Sequence, residues 1–164
     1  MTVVIRLAGP PDYAAIINIY NQAIAGKTTG HLEELTVEDR YEWLDSHNAD
    51  YPLLVAEVGG AVVGWASLGR YRPGRGALRH TAEISYYVDP VKRRLGVATA
   101  LVTRAIELCE PLELKTLIAI LLGDNKASIG LLKKLGFEQW AHLPGVANFD
   151  SREVDHVYYG LRVA

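Results

Sequence analysis

Apolar and polar positions change their spacing several times along the chain, and each change marks an element. Residues 2 to 7 read as a strand. Pro10-Pro11-Asp12 then starts a helix, an amphipathic stretch runs from Tyr13 to Ala25, and Gly26 is placed to stop it. Thr36 with Asp39 three residues on resembles a capping box, in which each residue satisfies the other's backbone N–H, for a short helix reaching about Ser46. The runs Leu53 to Val58 and Ala61 to Leu68 flank Gly59-Gly60, a pair that tolerates the positive φ angles of a tight hairpin.

A third run, Ala82 to Asp89, ends at Pro90 and is followed by a helical pattern from about Gly96 to Glu110 and a buried strand near Leu117 to Leu122. Strand, helix and strand in that order form a βαβ unit, whose outer strands lie parallel with a right-handed crossover. Another helix, Asn125 to Leu135, closes at Gly136, and strands near Phe137 to Ala141 and Val154 to Leu161 finish the chain. The expected fold class is α/β, with a mixed, mostly antiparallel sheet and helices on both faces. No repeat or linker interrupts residues 1–164, so one domain is expected.

Composition narrows the function classes. With 17 Lys and Arg against 19 Asp and Glu, the chain has no general attraction for nucleic acid or anionic membrane, and any anion site must be local. No uninterrupted apolar stretch approaches the length of a membrane span, and the start of the chain lacks the pattern of a signal peptide. The single cysteine, Cys109, lies in an apolar helical pattern and forms no intramolecular disulfide, which fits a reducing compartment and a cytoplasmic protein. The five histidines show no metal-type spacing, so no metal is expected.

The densest chemical signal is DPVKRRLGVAT, from Asp89 to Thr99. A strand stops, three cations follow, and a glycine opens a helix whose first turn carries only small side chains. The free N–H groups of a helix start, with the positive potential concentrated there, suit a pyrophosphate. Gly96 lets backbone approach the anion, Ala98 avoids a steric block, and Lys92, Arg93 and Arg94 add charge-assisted contacts. A solvated basic turn before a helix is the bland alternative. Neither G-x-x-x-x-G-K-[ST] nor G-x-G-x-x-G is present.

Arg93-Arg94-Leu95-Gly96-Val97-Ala98 resembles the [QR]-x-x-G-x-[GA] acyl-CoA signature of the GCN5-related N-acetyltransferases. The resemblance extends through Ile19-Tyr20-Asn21, Thr36 to Trp43, Thr81-Ala82-Glu83 with Tyr86-Tyr87-Val88, Asn125 with Ser128, and Leu135-Gly136-Phe137. Together these are similar to the phosphinothricin and methionine-sulfoximine type branch. The resemblance implies acetyl-CoA as donor, a small amino acid or close analogue as acceptor, and a homodimer with its sites near the interface.

Transfer of an acetyl group to an amine needs a neutral nitrogen, and so a base. Strand alternation puts Glu83 on one face with Ser85 and Tyr87, while Ile84, Tyr86 and Val88 point to the other. A carboxylate there needs a partner or water, which a substrate ammonium supplies; pairing to a nearby arginine is the structural alternative. The resemblance assigns Glu83 as the base and implies that the strand edge at Tyr87 and Val88 opens toward the cofactor, with a backbone N–H polarising the thioester carbonyl. It also implies contacts from the first turn, Val97, Ala98 and Thr99, and from Asn125 and Ser128 toward the cofactor, although Asn125 equally fits a plain helix N-cap. One part of the pattern is missing. Where many members carry a tyrosine, and much of this branch a histidine, this chain has Leu132, which cannot donate a proton to a departing thiolate.

Residues 70 to 80, RYRPGRGALRH, place four arginines in a strand connection, and an arginine fork can grip a carboxylate through both oxygens. Arg72 and Arg75 are the candidate acceptor ligands, and the resemblance places Tyr20, Asn21 and Thr28 to Leu32 on the acceptor side with them. Two other readings stay open: transfer to a polyamine, aminoglycoside or protein lysine, and a CoA-binding module without turnover.

Overall fold

The computed structural model describes residues 2–164, and in it seven strands form one sheet in the order β1-β2-β3-β4-β5-β7-β6. The strands are β1 (Val3–Leu7), β2 (Leu53–Val58), β3 (Ala61–Arg70), β4 (Thr81–Val88), β5 (Thr116–Leu122), β6 (Glu138–Asn148) and β7 (Glu153–Arg162). Helices α1 (Tyr13–Ala25) and α2 (Val37–Asp45) precede β2, α3 (Val97–Cys109) joins β4 to β5, and α4 (Lys126–Lys134) follows β5. Every pairing is antiparallel except β4 with β5. The mixed, mostly antiparallel sheet expected from the sequence is therefore present.

Local chemistry explains most element ends. Gly59 and Gly60 take φ of 61° and 80°, and the hairpin between β2 and β3 turns on them. Thr36 Oγ1 accepts from the Asp39 N–H at 3.1 Å while Asp39 Oδ2 accepts from the Thr36 N–H at 2.8 Å, so the capping box starts α2. Gly136, with φ of 92°, ends α4. Gly26 departs from expectation: it keeps a helical φ of −80°, and Lys27 is the residue that turns left-handed at 55°. Strand β6 also runs well beyond Ala141, through Pro144 and Gly145, because an edge strand tolerates a missing donor and two register irregularities. Asp155 secures that bend by accepting from Gly145 N–H and pairing with His142 Nε2.

Packing divides the interior by sheet face. Leu53 and Val55 of β2 and Trp65 of β3 meet Ile16 of α1 and Leu44 of α2. On the other face Leu54, Ala56, Val63 and Ala66 meet Val97 and Leu101 of α3, and Ile84 and Leu117 meet Val102, Ala105 and Leu132. Helices thus cover both faces, which is why β2 is buried on nearly every residue. Arg6 of β1 ties the first helix to the sheet through Asp12 Oδ2 and Glu57 Oε1, each at 2.8 Å, and holds the buried Asp12 carboxyl below its usual range.

Two glycines set close approaches. Trp140 lays its indole over Gly160, where a Cβ would lie 2.0 Å from a ring carbon. A Cβ on Gly64 would meet Val97 Cγ1 at 3.0 Å, Leu101 Cδ1 at 3.2 Å and the Tyr87 carbonyl at 3.2 Å, so this glycine seats the start of α3 against the middle of the sheet. Gly64→Ala should cost about 1–3 kcal/mol by overpacking that contact, read as a lower urea midpoint with an unchanged slope. An unaltered midpoint would show that α3 shifts freely.

Candidate active site

The parallel pair β4 and β5 sets the site. The two strands stay together from Thr81 opposite Thr116 to Ile84 opposite Ala119 and then part. Beyond that seam β4 remains with β3 as far as Val88, and β5 remains with β7 as far as Leu122. A cavity of about 390 Å³ opens between them, walled by Glu83 to Tyr87 and by Ala119 to Leu122. Asn125, the N-cap of α4, and Ser128 and Leu132 of that helix close one side; Tyr20, the segment Thr28 to His31 and His156 close the other.

Backbone direction in β4 follows from its bonding. The Asp89 N–H donates to Val63 C=O at 2.8 Å, so by alternation the main-chain groups of Tyr87 and Ser85 turn to β3. Those of Tyr86 and Val88 face the gap, unsatisfied by any sheet partner. The expectation of a donor at Tyr87 is corrected on this point: the free amides of the strand edge belong to Tyr86 and Val88, and Tyr87 contributes its side chain.

Glu83 lies in the middle of the sheet with Gly69 on one flank and Ile118 on the other. Its carboxylate has no hydrogen-bond or ion-pair partner among the described residues, and burial raises its pKa above the ordinary carboxylate value. Pairing to an arginine, the structural alternative, is not how this side chain is held. Tyr87, on the same face, is partly buried, and this desolvation pushes its phenol far up; its hydroxyl donates to Thr29 Oγ1 at 3.3 Å. Tyr20 meets the same Thr29 oxygen at 2.9 Å and also His31 Nδ1, while its ring packs on Trp65 and Tyr87. Tyr20 is accordingly both a packed residue and part of the cavity wall.

The Asp89 to Thr99 turn sits beyond the cavity, at the far end of β4. Asp89 Oδ1 accepts from Val91 N–H at 3.0 Å, and Arg94 and Gly96 take left-handed φ of 68° and 77°. The first intrahelical bond of α3 runs from Ala100 N–H to Gly96 C=O at 3.0 Å, so the amides of Val97, Ala98 and Thr99 are the free ones. A Cβ placed on Gly96 meets nothing within 4 Å, and Arg93, Arg94 and Leu95 are exposed. These residues fit a diphosphate: open backbone donors, a helix N-terminus and two free guanidinium groups. Asn125 performs its bland role, accepting from Ser128 N–H at 3.3 Å, and also lines the cavity.

The arginine loop is placed apart. Arg72 and Arg75 line a second hollow of about 250 Å³ with Tyr51, Arg70, Arg79 and Thr81, and no residue is shared with the Glu83 cavity. The two hollows are nevertheless adjacent, since Thr81 and Glu83 are alternate residues of β4 on one face, roughly 7 Å apart.

Sequence reasoning did not bring out His156 or the β5 wall. His156 enters because β7 inserts beside β5, a non-sequential neighbour that no local signal announces. Burial lowers the pKa of both His31 and His156, favouring neutral imidazoles. Among the described residues no cluster of three or more His, Cys, Asp or Glu converges as a metal site, and no helix is long and apolar enough to cross a membrane.

Comparison with known proteins agrees with this arrangement. The sequence profile described as "Acetyltransferase (GNAT) family" matches residues 14–137. YwnH of Bacillus subtilis strain 168 is 39% identical over 153 residues, covering 92% of this chain and 93% of that protein. The L-methionine sulfoximine/L-methionine sulfone acetyltransferase of Pseudomonas aeruginosa PAO1 is 36% identical over 167 residues, covering 99% and 96%. Among solved structures, a GNAT superfamily phosphinothricin acetyltransferase from Sinorhizobium meliloti in complex with AcCoA superposes with a TM-score of 0.92 at 27% identity, covering 99% of this chain and 89% of that one. The chain is thus an acetyl-CoA-dependent acetyltransferase, and it belongs to the acetyltransferase (GNAT) family.

Proposed function

We propose that this enzyme acetylates the amine of a small amino acid or an amino-acid analogue of the methionine-sulfoximine or phosphinothricin kind, by direct transfer from acetyl-CoA. The observation that carries this reading is Glu83: an unpartnered, half-buried carboxylate on the wall of a cavity formed where two strands part. In that cavity the ammonium of an acceptor is the missing partner, and its first proton passes to Glu83 directly or through water. The amide donors at Tyr86 and Val88 are oriented to hold the donor's arm and polarise its carbonyl, and the Val97 to Thr99 amides with Arg93 and Arg94 receive its pyrophosphate.

An amino acid is preferred over a polycation because the neighbouring hollow is cationic. The hollow lined by Arg72 and Arg75 adjoins Thr81, one alternate residue along β4 from Glu83, and a carboxylate held there leaves the amine facing the base. The names of the relatives described above point to the same acceptor class. The reading includes a homodimer, supported by the exposed Trp140 and Val146 on the edge strand β6, and a cytoplasmic setting, supported by the buried, unpaired thiol of Cys109. One domain spanning the chain is part of it, supported by the continuous sheet.

The test is release of free thiol from acetyl-CoA against a panel of amino acids, methionine sulfoximine, phosphinothricin, spermidine and a lysine peptide. Amino acids or the two analogues should give the highest kcat/KM; a higher value for spermidine or the peptide would overturn the acceptor class, and no turnover with CoA still bound would identify a binding module.

Glu83→Gln should lower kcat by about 10²- to 10⁴-fold and leave acetyl-CoA affinity, measured by calorimetry, nearly intact. Because the folded pKa of Glu83 is raised, the group binds its proton more tightly folded than unfolded. Raising pH from the unfolded value through the folded value therefore lowers stability, and activity rises over the same acidic-to-neutral window as the base ionises. The variant should lose that limb of the stability profile in thermal melts recorded across pH. Arg75→Ala should raise KM for the amino acid about tenfold with little change in kcat; an equal change for a simple alkylamine would remove Arg75 from carboxylate recognition.

A further inference from the structure

Tyr86 carries its ring to the α3 and α4 side of the sheet, against the cores that contain Leu132, Val97 and Leu101. Its hydroxyl is sealed from solvent and has no hydrogen-bond partner among the described residues, yet the residue lines the same cavity as Glu83. A buried hydroxyl left unpaired is unfavourable, and phenylalanine would fill the same space without that penalty. The hydroxyl therefore requires a partner that enters the cavity. Ser128 of α4 lies close enough to offset part of the effect of burial on the phenol but does not meet it in hydrogen-bonding geometry. Leu132, also on α4 and fully buried, offers no donor of its own.

The reaction supplies a matching need. As the amine attacks, the N–C bond forms, the C–S bond breaks, and the electron pair moves to sulfur. From the Glu83 side of the gap nothing but the first proton of the ammonium is handled, so the developing charge on sulfur is left to the opposite side. The geometry points to the Tyr86 hydroxyl as the hydrogen-bond donor that meets the departing thiolate, supplied from strand β4 rather than from helix α4.

The proton balance is simple. The ammonium gives its first proton to Glu83, which passes it to solvent, and the second proton on nitrogen, shed as the amide forms, reaches sulfur through water to give the free thiol. Tyr86 shares its proton without surrendering it. Burial pushes its phenol up to about 12, well above the value of about 8.5 typical of an alkyl thiol such as cysteine, so the O–H stays intact while it donates. This inference rests on the acetyl-CoA reaction of the family and not on which amine accepts.

Tyr86→Phe preserves the ring and removes only the hydroxyl, so the variant should fold with a melting temperature equal to or above that of the wild type. Its kcat should fall about 10- to 100-fold, with acetyl-CoA affinity by calorimetry unchanged. The second readout uses CoA alone, without any amine: thiolate absorbance is followed through a pH titration of each protein saturated with CoA. Bound CoA should be about tenfold less acidic in the variant, because the donor that stabilises the thiolate is gone. The buried Cys109 thiol, pushed up to about 11, titrates outside that window. Equal thiol acidity in the two proteins overturns the inference whatever the rate does. If no amine gives product with the wild type, the acceptor reading fails and the thiol comparison still decides the role of Tyr86.

Discussion

The site depends on a failure of pairing. A parallel pair that continued to the end of both strands would satisfy every main-chain group of β4 and leave no cavity. By parting after Ile84 and Ala119 the sheet leaves polar backbone exposed to a gap, an arrangement that is stable only because each strand keeps its other neighbour and because helices cover the faces on either side. The unpaired edge of β4, the carboxylate beside the seam and the free amides of α3 then fall along one line, from the closed end of the gap to the helix start.

Sheet alternation divides the labour along β4. Glu83, Ser85 and Tyr87 serve the face of α1, where Tyr20, Thr29 and His31 build a hydrogen-bonded aromatic wall. Tyr86 serves the face of α4, among apolar side chains. The Glu83 carboxylate and the Tyr86 hydroxyl are thereby held on opposite sides of one strand, separated by the thickness of the sheet.

What the sequence made legible follows the range of the forces involved. The Gly59-Gly60 hairpin, the Thr36 and Asp39 box and the Gly136 stop are settled by residues within a turn of one another, and the residues themselves announce them. Glu83 and the Asp89 to Thr99 turn were legible because alternation and a helix start are also local. The insertion of β7 between β5 and β6 is not, since it is decided by long-range packing, and His156 stayed hidden with it. Residues 70 to 80 show the same limit: composition identified a cationic loop, but only the fold puts Arg72 and Arg75 in a hollow of their own beside Thr81. Pro144 and Gly145 carried a stop signal that the edge position of β6 overrode.

The seam holds only four paired positions, and its residues Ala82, Leu117 and Ala119 are wholly inside the protein. It is therefore the fulcrum of a lever whose long arms are the ends of β4 and β5. A fraction of an ångström gained or lost at the fulcrum is magnified at the mouth, so the width of the gap is governed in part by aliphatic side chains, Ala82 and Leu117, that lie outside its lining.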